Sequence, residues 1–187
     1  MSTAYIGLGG NIGDSRQILT DAVICLAQIP AIQINARSCF YISTPVNAPG
    51  NDYVNNVIAV STRLEPIPLL HACQSVEQKF GRERPFENAP RTLDIDLLMY
   101  DDVTYNSPEL ILPHPRIAER MFVLLPLLEI DSEISLPKIG KLKDQIANLS
   151  WQKIERLHSS SLCNGPCESK PSYFLLKNFS KKPNDSI

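Results

Sequence analysis

Asp94 and Asp96 stand two residues apart in Pro90-Arg-Thr-Leu-Asp-Ile-Asp-Leu-Leu98, inside an apolar run that ends at Tyr100. Side chains on a strand alternate between faces, so both carboxylates would project from one face, a few ångströms apart. On a helix the same spacing would splay them by about 200°. Two anions held side by side repel unless a cation lies between them. Hard divalent cations such as Mg²⁺ accept such oxygen ligands, usually together with phosphates. Arg91, three residues earlier, adds a fixed positive charge. A metal–nucleotide site is the sharp reading. A strand with one wet face, carrying polar residues at alternate positions, is the plain one.

The neighbours weigh on that choice. Arg82, Arg84, Arg91, Arg116 and Arg120 flank the acidic segment on both sides, and His114 lies in Leu-Pro-His-Pro. Arginine offers permanently charged, bidentate recognition of phosphate oxygens. A cation between two aspartates with arginines around it is the set of parts that phosphoryl-type transfer uses. Tyr53 and Asn55 share a strand face and could stack on and hydrogen-bond a flat heterocycle; ordinary strand packing is the alternative. Leu70, Gln74 and Glu77 share one helix face at i, i+4 and i+7, and by themselves mark only a solvated side. The Gly-rich opening Gly7-Leu-Gly-Gly-Asn-Ile-Gly13 does not complete a dinucleotide or Walker phosphate loop. It reads as a strand-to-helix turn.

The elements that must position these residues follow from periodicity and punctuation. Thr3–Leu8 predicts a strand, and Asp14 an N-cap with Gln17 at the capping-box position. Ile18, Ala22, Leu26 and Ile29 predict a helix reaching Pro30. Ile32–Ile42 predicts a strand, residues 43–52 a loop, and Tyr53–Leu64 a further strand. Pro66 and Pro68 suit the first turn of a second helix with the stripe Leu69, Cys73, Val76 and Phe80, stopped by Gly81. After the Asp-x-Asp strand come a turn at Asp101-Asp102 and short extended pieces to Pro113. A helix is expected over Arg116–Ile130, interrupted near Pro126, and another short one over Leu142–Leu149. The order β-α-β-β-α-β predicts an α+β fold: a ferredoxin-like antiparallel sheet flanked by helices in an α/β/α sandwich.

With 187 residues, 43% of them hydrophobic and 20% charged, the chain is expected to form one globular domain over 1–158. A polar tail of unknown role is expected over 159–187. A formal net charge of −2 argues against a nucleic-acid binder with a broad basic face. No run is apolar enough for a membrane span, and the start lacks the features of a signal peptide. Five scattered cysteines suit a reduced, cytoplasmic setting. Cys163 and Cys167, in the tail, lack the partners of a zinc site.

Five blocks together resemble one family: Ala4-Tyr-Ile-Gly-Leu-Gly-Gly-Asn-Ile-Gly-Asp14, Asp52-Tyr-Val-Asn-Asn56, Gly81-Arg-Glu-Arg84, Pro90-Arg-Thr-Leu-Asp-Ile-Asp96 and Leu112-Pro-His-Pro-Arg116 through Phe122. They resemble the 6-hydroxymethyl-7,8-dihydropterin pyrophosphokinases, over about residues 3–150. The resemblance implies transfer of pyrophosphate from ATP to the hydroxymethyl group of the pterin, releasing AMP, in folate biosynthesis. It implies that Asp94 and Asp96 hold two Mg²⁺ ions on the ATP phosphates. It implies that Arg82, Arg91, His114 and Arg120 bind phosphates, with Arg82 and Arg91 joining the catalytic set, and that Arg84 helps in a closing loop. Leu70, Gln74 and Glu77 would face the nucleotide. Tyr53 and Phe122 would sandwich the pterin, with Asn55 on its polar edge and groups near Ser43, Thr44 and Val46 adding contacts. The loops 43–52 and 81–90 would be lids. A monomer working on two small molecules, without nucleic acid or membrane, completes the expectation. Asn88-Ala89-Pro90 departs from the family's common Trp-Gly-Pro, which removes an aromatic from one lid. A non-catalytic binding module of the same fold and a metal-dependent hydrolase are the rival classes.

Overall fold

The computed structural model describes residues 1–45, 51–81, 91–137 and 139–157. Val46, Arg82, Arg84, Asn88, Cys163, Cys167 and the expected tail therefore lie outside the described residues. The strands are β1 (Ser2–Gly10), β2 (Ile32–Arg37), β3 (Tyr41–Ser43), β4 (Tyr53–Thr62), β5 (Asp94–Tyr100), β6 (Tyr105–Asn106), β7 (Ile111–Leu112), β8 (Ser135–Leu136), β9 (Gly140–Lys141) and β10 (Ile154–Arg156). The α-helices are α1 (Ser15–Ala27), α2 (Pro66–Lys79) and α3 (Met121–Ile130), and Leu142–Leu149 forms a 3₁₀ helix. The main sheet is antiparallel throughout, in the order β10-β3-β4-β1-β5, with β2 also pairing β4. Taking β2 and β3 as one interrupted strand, this is the ferredoxin-like arrangement that the element order predicts.

Alternation along the strands separates two cores. Ala4, Ile6 and Leu8 of β1 and Ile95 and Leu97 of β5 face α1 and α2 with Leu19, Leu26, Leu69, Cys73 and Val76. Val57, Leu98 and Met99 face the other way, onto Met121, Leu124, Leu127 and Leu128 of α3 and Leu142 and Leu149 of the 3₁₀ helix. Leu98 and Met99 share a face because the β1–β5 register slips by one residue between Tyr5 and Ile6, a bulge that re-aims side chains. The same alternation sends Asp94 and Asp96 toward the α3 layer.

Local signals set most of the boundaries. The Asp14 side chain accepts from Gln17 N–H at 3.1 Å, while the Gln17 amide turns forward to Asp21, so the capping box is half made. The expected strand over Ile32–Ile42 is two strands. Between them the Ser38 hydroxyl accepts from Val57 N–H at 2.9 Å and donates to Cys39 C=O at 2.8 Å, replacing ladder bonds with side-chain bonds. The expected helix over Arg116–Ile130 starts only at Met121, because Arg120 is extended (φ −120°). Pro126 does not interrupt it. Met121, Val123, Leu124, Pro126, Leu127 and Leu128 are all buried, and that packing offsets the one helical hydrogen bond a proline removes.

The Gly-rich opening is strand up to Gly10, and the turn glycine is Gly13, at φ +72°. A Cβ on Gly10 would sit 2.4 Å from Thr92 C=O, so the residue is glycine for close approach to the segment that leads into β5. Because the obstacle is backbone, Gly10→Ala is expected to destabilise the fold by about 1–3 kcal/mol. Urea unfolding checks this, and a loss below about 0.5 kcal/mol would show that the segment yields freely.

Candidate active site

Asp94 and Asp96 alternate with buried Ile95 and Leu97, as the strand reading requires, and their side chains are 21% and 37% exposed. Each meets a guanidinium: Arg91 Nη1 lies 2.7 Å from Asp94 Oδ2, and Arg120 Nη1 lies 3.9 Å from Asp96 Oδ2. Opposite them on β1 stand Gly9, paired with Asp94, and Gly7, paired with Asp96. Facing residues of an antiparallel pair share a side of the sheet, so no β1 side chain stands beside either carboxylate; the Leu98 side chain lies over Gly7 instead. Next across is Asn55, paired with Gly9 from β4. A Cβ on Gly9 would come within 3.0 Å of Asn55 Oδ1.

Asn55 is buried and donates from Nδ2 to Ser43 Oγ at 3.0 Å. Tyr53 precedes it by two residues on the same face and pairs with Ser43. Thr44 follows, exposed. The structure therefore brings Ser43, Tyr53 and Asn55 together at one end of the sheet.

Two loops bring the cations in. Arg91 is held by Asn11, whose N–H donates to Arg91 C=O at 3.0 Å and whose Oδ1 accepts from Arg91 N–H at 2.9 Å. Asn11 Nδ2 also reaches Asn51 C=O, tying the approach to Tyr53 to the same hub. Burial works against the Arg91 charge, but Asp94 outweighs it and raises the pKa above that of an ordinary arginine. Arg120 closes the site from α3. Its guanidinium sits 5.7 Å over the Phe122 ring, a cation–π distance. Burial and then Arg116 lower its pKa, against the pull of Asp96 and Asp94.

His114 lies among Arg120, Arg116 and Asp94. Its N–H donates to Leu98 C=O at 2.8 Å, and its Nδ1 accepts from Arg116 N–H at 3.1 Å, which leaves the ring proton on Nε2 as a donor. Burial first, then Arg120 and Arg116, push its pKa down to about 4. It is a neutral donor beside a cationic cluster at neutral pH. Arg116 itself is exposed and pairs with Glu119 at 3.4 Å.

The Leu70, Gln74 and Glu77 face is not the solvated side that spacing alone suggests. Glu77 is only 1% exposed, and its Oε1 accepts from Ile95 N–H at 2.9 Å, the peptide between the two aspartates. It thereby covers an edge of β5 that β1 leaves open. Leu70 and Gln74 are half-buried on the same helix. Burial, then Glu77 and Asp96, raise the nearby Cys73 thiol to about 12, so it stays neutral.

Among the described residues no third carboxylate, histidine or cysteine completes a metal cage. The donor set nonetheless suits magnesium, which commonly takes one or two carboxylates and fills its remaining positions with water and phosphate oxygens. Sequence reasoning missed Asn11 and the paired glycines. The signal for the latter was there: Gly7 and Gly9 carry the same i, i+2 spacing as Asp94 and Asp96.

Residues 5–132 match the family model described as 7,8-dihydro-6-hydroxymethylpterin-pyrophosphokinase. A 2-amino-4-hydroxy-6-hydroxymethyldihydropteridine pyrophosphokinase of Methylorubrum extorquens is 39% identical, over 84% of this chain and 99% of its own length. That of Bacillus subtilis is 36% identical, over 84% of this chain and 98% of its own. The bifunctional protein FolKE of Lactococcus lactis is 40% identical over 83% of this chain, which spans only 44% of it. A crystal structure of wild-type Plasmodium falciparum HPPK-DHPS superposes with a TM-score of 0.63 at 13% identity, covering 79% of this chain and 44% of that one. At that identity the likeness shows the fold alone.

The folded-state pKa of His114 lies below the ordinary 6.5, so the unfolded chain takes up the proton first as pH falls. Its contribution to stability is complete above about pH 6.5 and is lost as pH falls toward about 4. His114→Gln is therefore expected to lose less stability than the parent between about pH 7 and about pH 5, by denaturant unfolding of metal-free protein. Parallel pH profiles would contradict the burial argument.

Proposed function

The chain belongs to the 7,8-dihydro-6-hydroxymethylpterin-pyrophosphokinase family, and from that membership we propose how its site carries out the reaction. The activity is transfer of pyrophosphate from ATP to hydroxymethyldihydropterin in folate synthesis. The new bond joins the pterin hydroxymethyl oxygen to the β-phosphorus. The bond from that phosphorus to the oxygen bridging the α-phosphate breaks, AMP leaves, and the hydroxyl proton passes to solvent. One observation carries the assignment of residues: two partly exposed aspartates on one sheet face, each already matched by an arginine, opposite two glycines with Asn55 next across the sheet.

Asp94 and Asp96 are the residues that would hold two Mg²⁺ ions. Such ions supply charge neutralisation and an electrophilic β-phosphorus. Arg91, Arg120 and His114 are the phosphate ligands in this reading, the first two by permanent charge and the third as a neutral Nε2 donor. Arg82, outside the described residues, joins them as in the resemblance, with Arg84 in a closing loop. Leu70, Gln74 and Glu77 line the nucleotide side. The buried Glu77 contributes by fixing the peptide between the metal ligands rather than by reaching the base.

Tyr53 and Phe122 sandwich the pterin, Asn55 reads its polar edge, and Ser43, Thr44 and Val46 add contacts. The hydrogen bond from Asn55 to Ser43 supports this reading by fixing which amide face points into the site. A reduced, cytoplasmic monomer without nucleic-acid or membrane partners completes the proposal. The thiols of Cys25, Cys39 and Cys73 are consistent with it, and no described helix is long and apolar enough to cross a membrane. Residues 1–158 form its catalytic domain, with 159–187 as a tail.

Incubation with Mg-ATP and 6-hydroxymethyl-7,8-dihydropterin is expected to release AMP. Formation of ADP, or no product, would overturn the reading. Asp96→Asn keeps the side chain's shape but removes the charge, and is expected to lower kcat by at least about a hundredfold. Activity within about twofold of the parent would refute the metal assignment.

A further inference from the structure

The matched family segment ends at residue 132, yet a side chain from beyond it bonds the backbone on both sides of Arg120. Arg120, the residue before α3, is extended and offers no side-chain cap to the first turn. The first N–H groups of a helix need an acceptor. Here that acceptor comes from a distant residue: Gln152 Oε1 accepts from Met121 N–H at 2.9 Å. The other half of the same carboxamide, Gln152 Nε2, donates to Glu119 C=O at 2.7 Å. One side chain thus holds the residues immediately before and after Arg120.

Arg120 is where the two halves of the site meet. It approaches Asp96 Oδ2 at 3.9 Å on the metal-ligand strand and lies 5.7 Å over the Phe122 ring. Its side chain makes no close hydrogen bond among those described that would hold it in place, so its aim depends on its backbone. Gln152 is itself anchored. Its N–H donates to Leu149 C=O at 2.9 Å, and two residues later β10 pairs with β3, placing Ile154 opposite Ser43. At the far end of the same segment, Arg156 Nη2 donates to Glu129 Oε1 of α3 at 2.8 Å. The segment therefore spans from the Ser43 edge of the sheet to both ends of α3.

We propose that Gln152 is a positioning residue of this enzyme, acting through Arg120: its carboxamide sets the backbone that aims the Arg120 guanidinium at the phosphates. This rests on the phosphate-binding role given to Arg120 above. A purely structural Gln152 would lower stability without any special dependence on Arg120.

The test compares the full-length parent, Gln152→Leu, Arg120→Ala and the double variant by AMP release, well below each melting temperature. Gln152→Leu is expected to lower kcat/KM by about tenfold with a Tm shift of only a few degrees. In the Arg120→Ala background the same substitution is expected to cost less than about twofold, because the group it aims is gone. Multiplicative losses, or a single variant within about twofold of the parent, would overturn the proposal. Should Gln152→Leu fail to fold, Gln152→Glu keeps the acceptor for Met121 and loses the donor to Glu119, and the same non-additivity is expected of it. If the parent releases no AMP, the functional reading fails separately. The clamp is then judged by affinity for Mg²⁺ with a non-hydrolysable ATP analogue, expected to fall about tenfold in Gln152→Leu and overturned by equal affinity.

Discussion

Mutual repulsion between Asp94 and Asp96 is the constraint around which the site is built. Carboxylates about 6.6 Å apart, the strand spacing of residues i and i+2, repel by about 2.5 kcal/mol at an effective dielectric near 20. An arginine about 4 Å from one of them returns about 4 kcal/mol on the same scale. One cation would already offset the repulsion, and here each carboxylate has its own, Arg91 beside Asp94 and Arg120 near Asp96. Neither arginine lies on β5. Asn11 must fasten the Arg91 segment, and α3 must deliver Arg120 from the opposite layer. Glu77, a third carboxylate buried nearby, takes Ile95 N–H rather than joining the pair, so the strand edge holds still while the anions keep their spacing.

The rest of the site follows from what the sheet can and cannot carry beside those charges. Side chains on β1 opposite the aspartates would crowd the face, and Gly7 and Gly9 leave that room to Leu98 and Asn55. Further across, Asn55 and Tyr53 supply an amide and a ring where the floor ends. The charged half of the site and the aromatic half thus lie on one antiparallel face, and Arg120 over Phe122 joins them. Asp94, Asp96 and Arg120 thus lie on the α3 side of the sheet, while α1 and α2 bury the other.

Much of this was legible before the structure. The i, i+2 carboxylates, the Pro66 start and Gly81 stop of α2, and the Asp14 cap all rest on rules that act within a few residues, and all hold. What could not be read is long-range. Glu77 looks like a solvated residue until β5 is laid beside α2. The helix starts at Met121 rather than Arg116, and the N–H of Met121 meets Gln152, far along the chain. The split at Ser38 depends on a hydroxyl finding Val57 across the sheet. Pro126 ought to break a helix by its local chemistry, and the packing of α3 on β4 overrides it. In each case a tertiary contact changes the outcome of a correct local rule.

Manganese, which reports its own coordination by paramagnetic resonance, tests the central claim most directly. With a non-hydrolysable ATP analogue present, the protein is expected to bind manganese far more tightly than without it, because the described residues supply two carboxylates and phosphate oxygens must complete the shell. Replacing Asp94 and Asp96 together by asparagine is expected to abolish that nucleotide-dependent binding while leaving the fold intact. Equal manganese affinity in the doubly substituted protein would contradict the account.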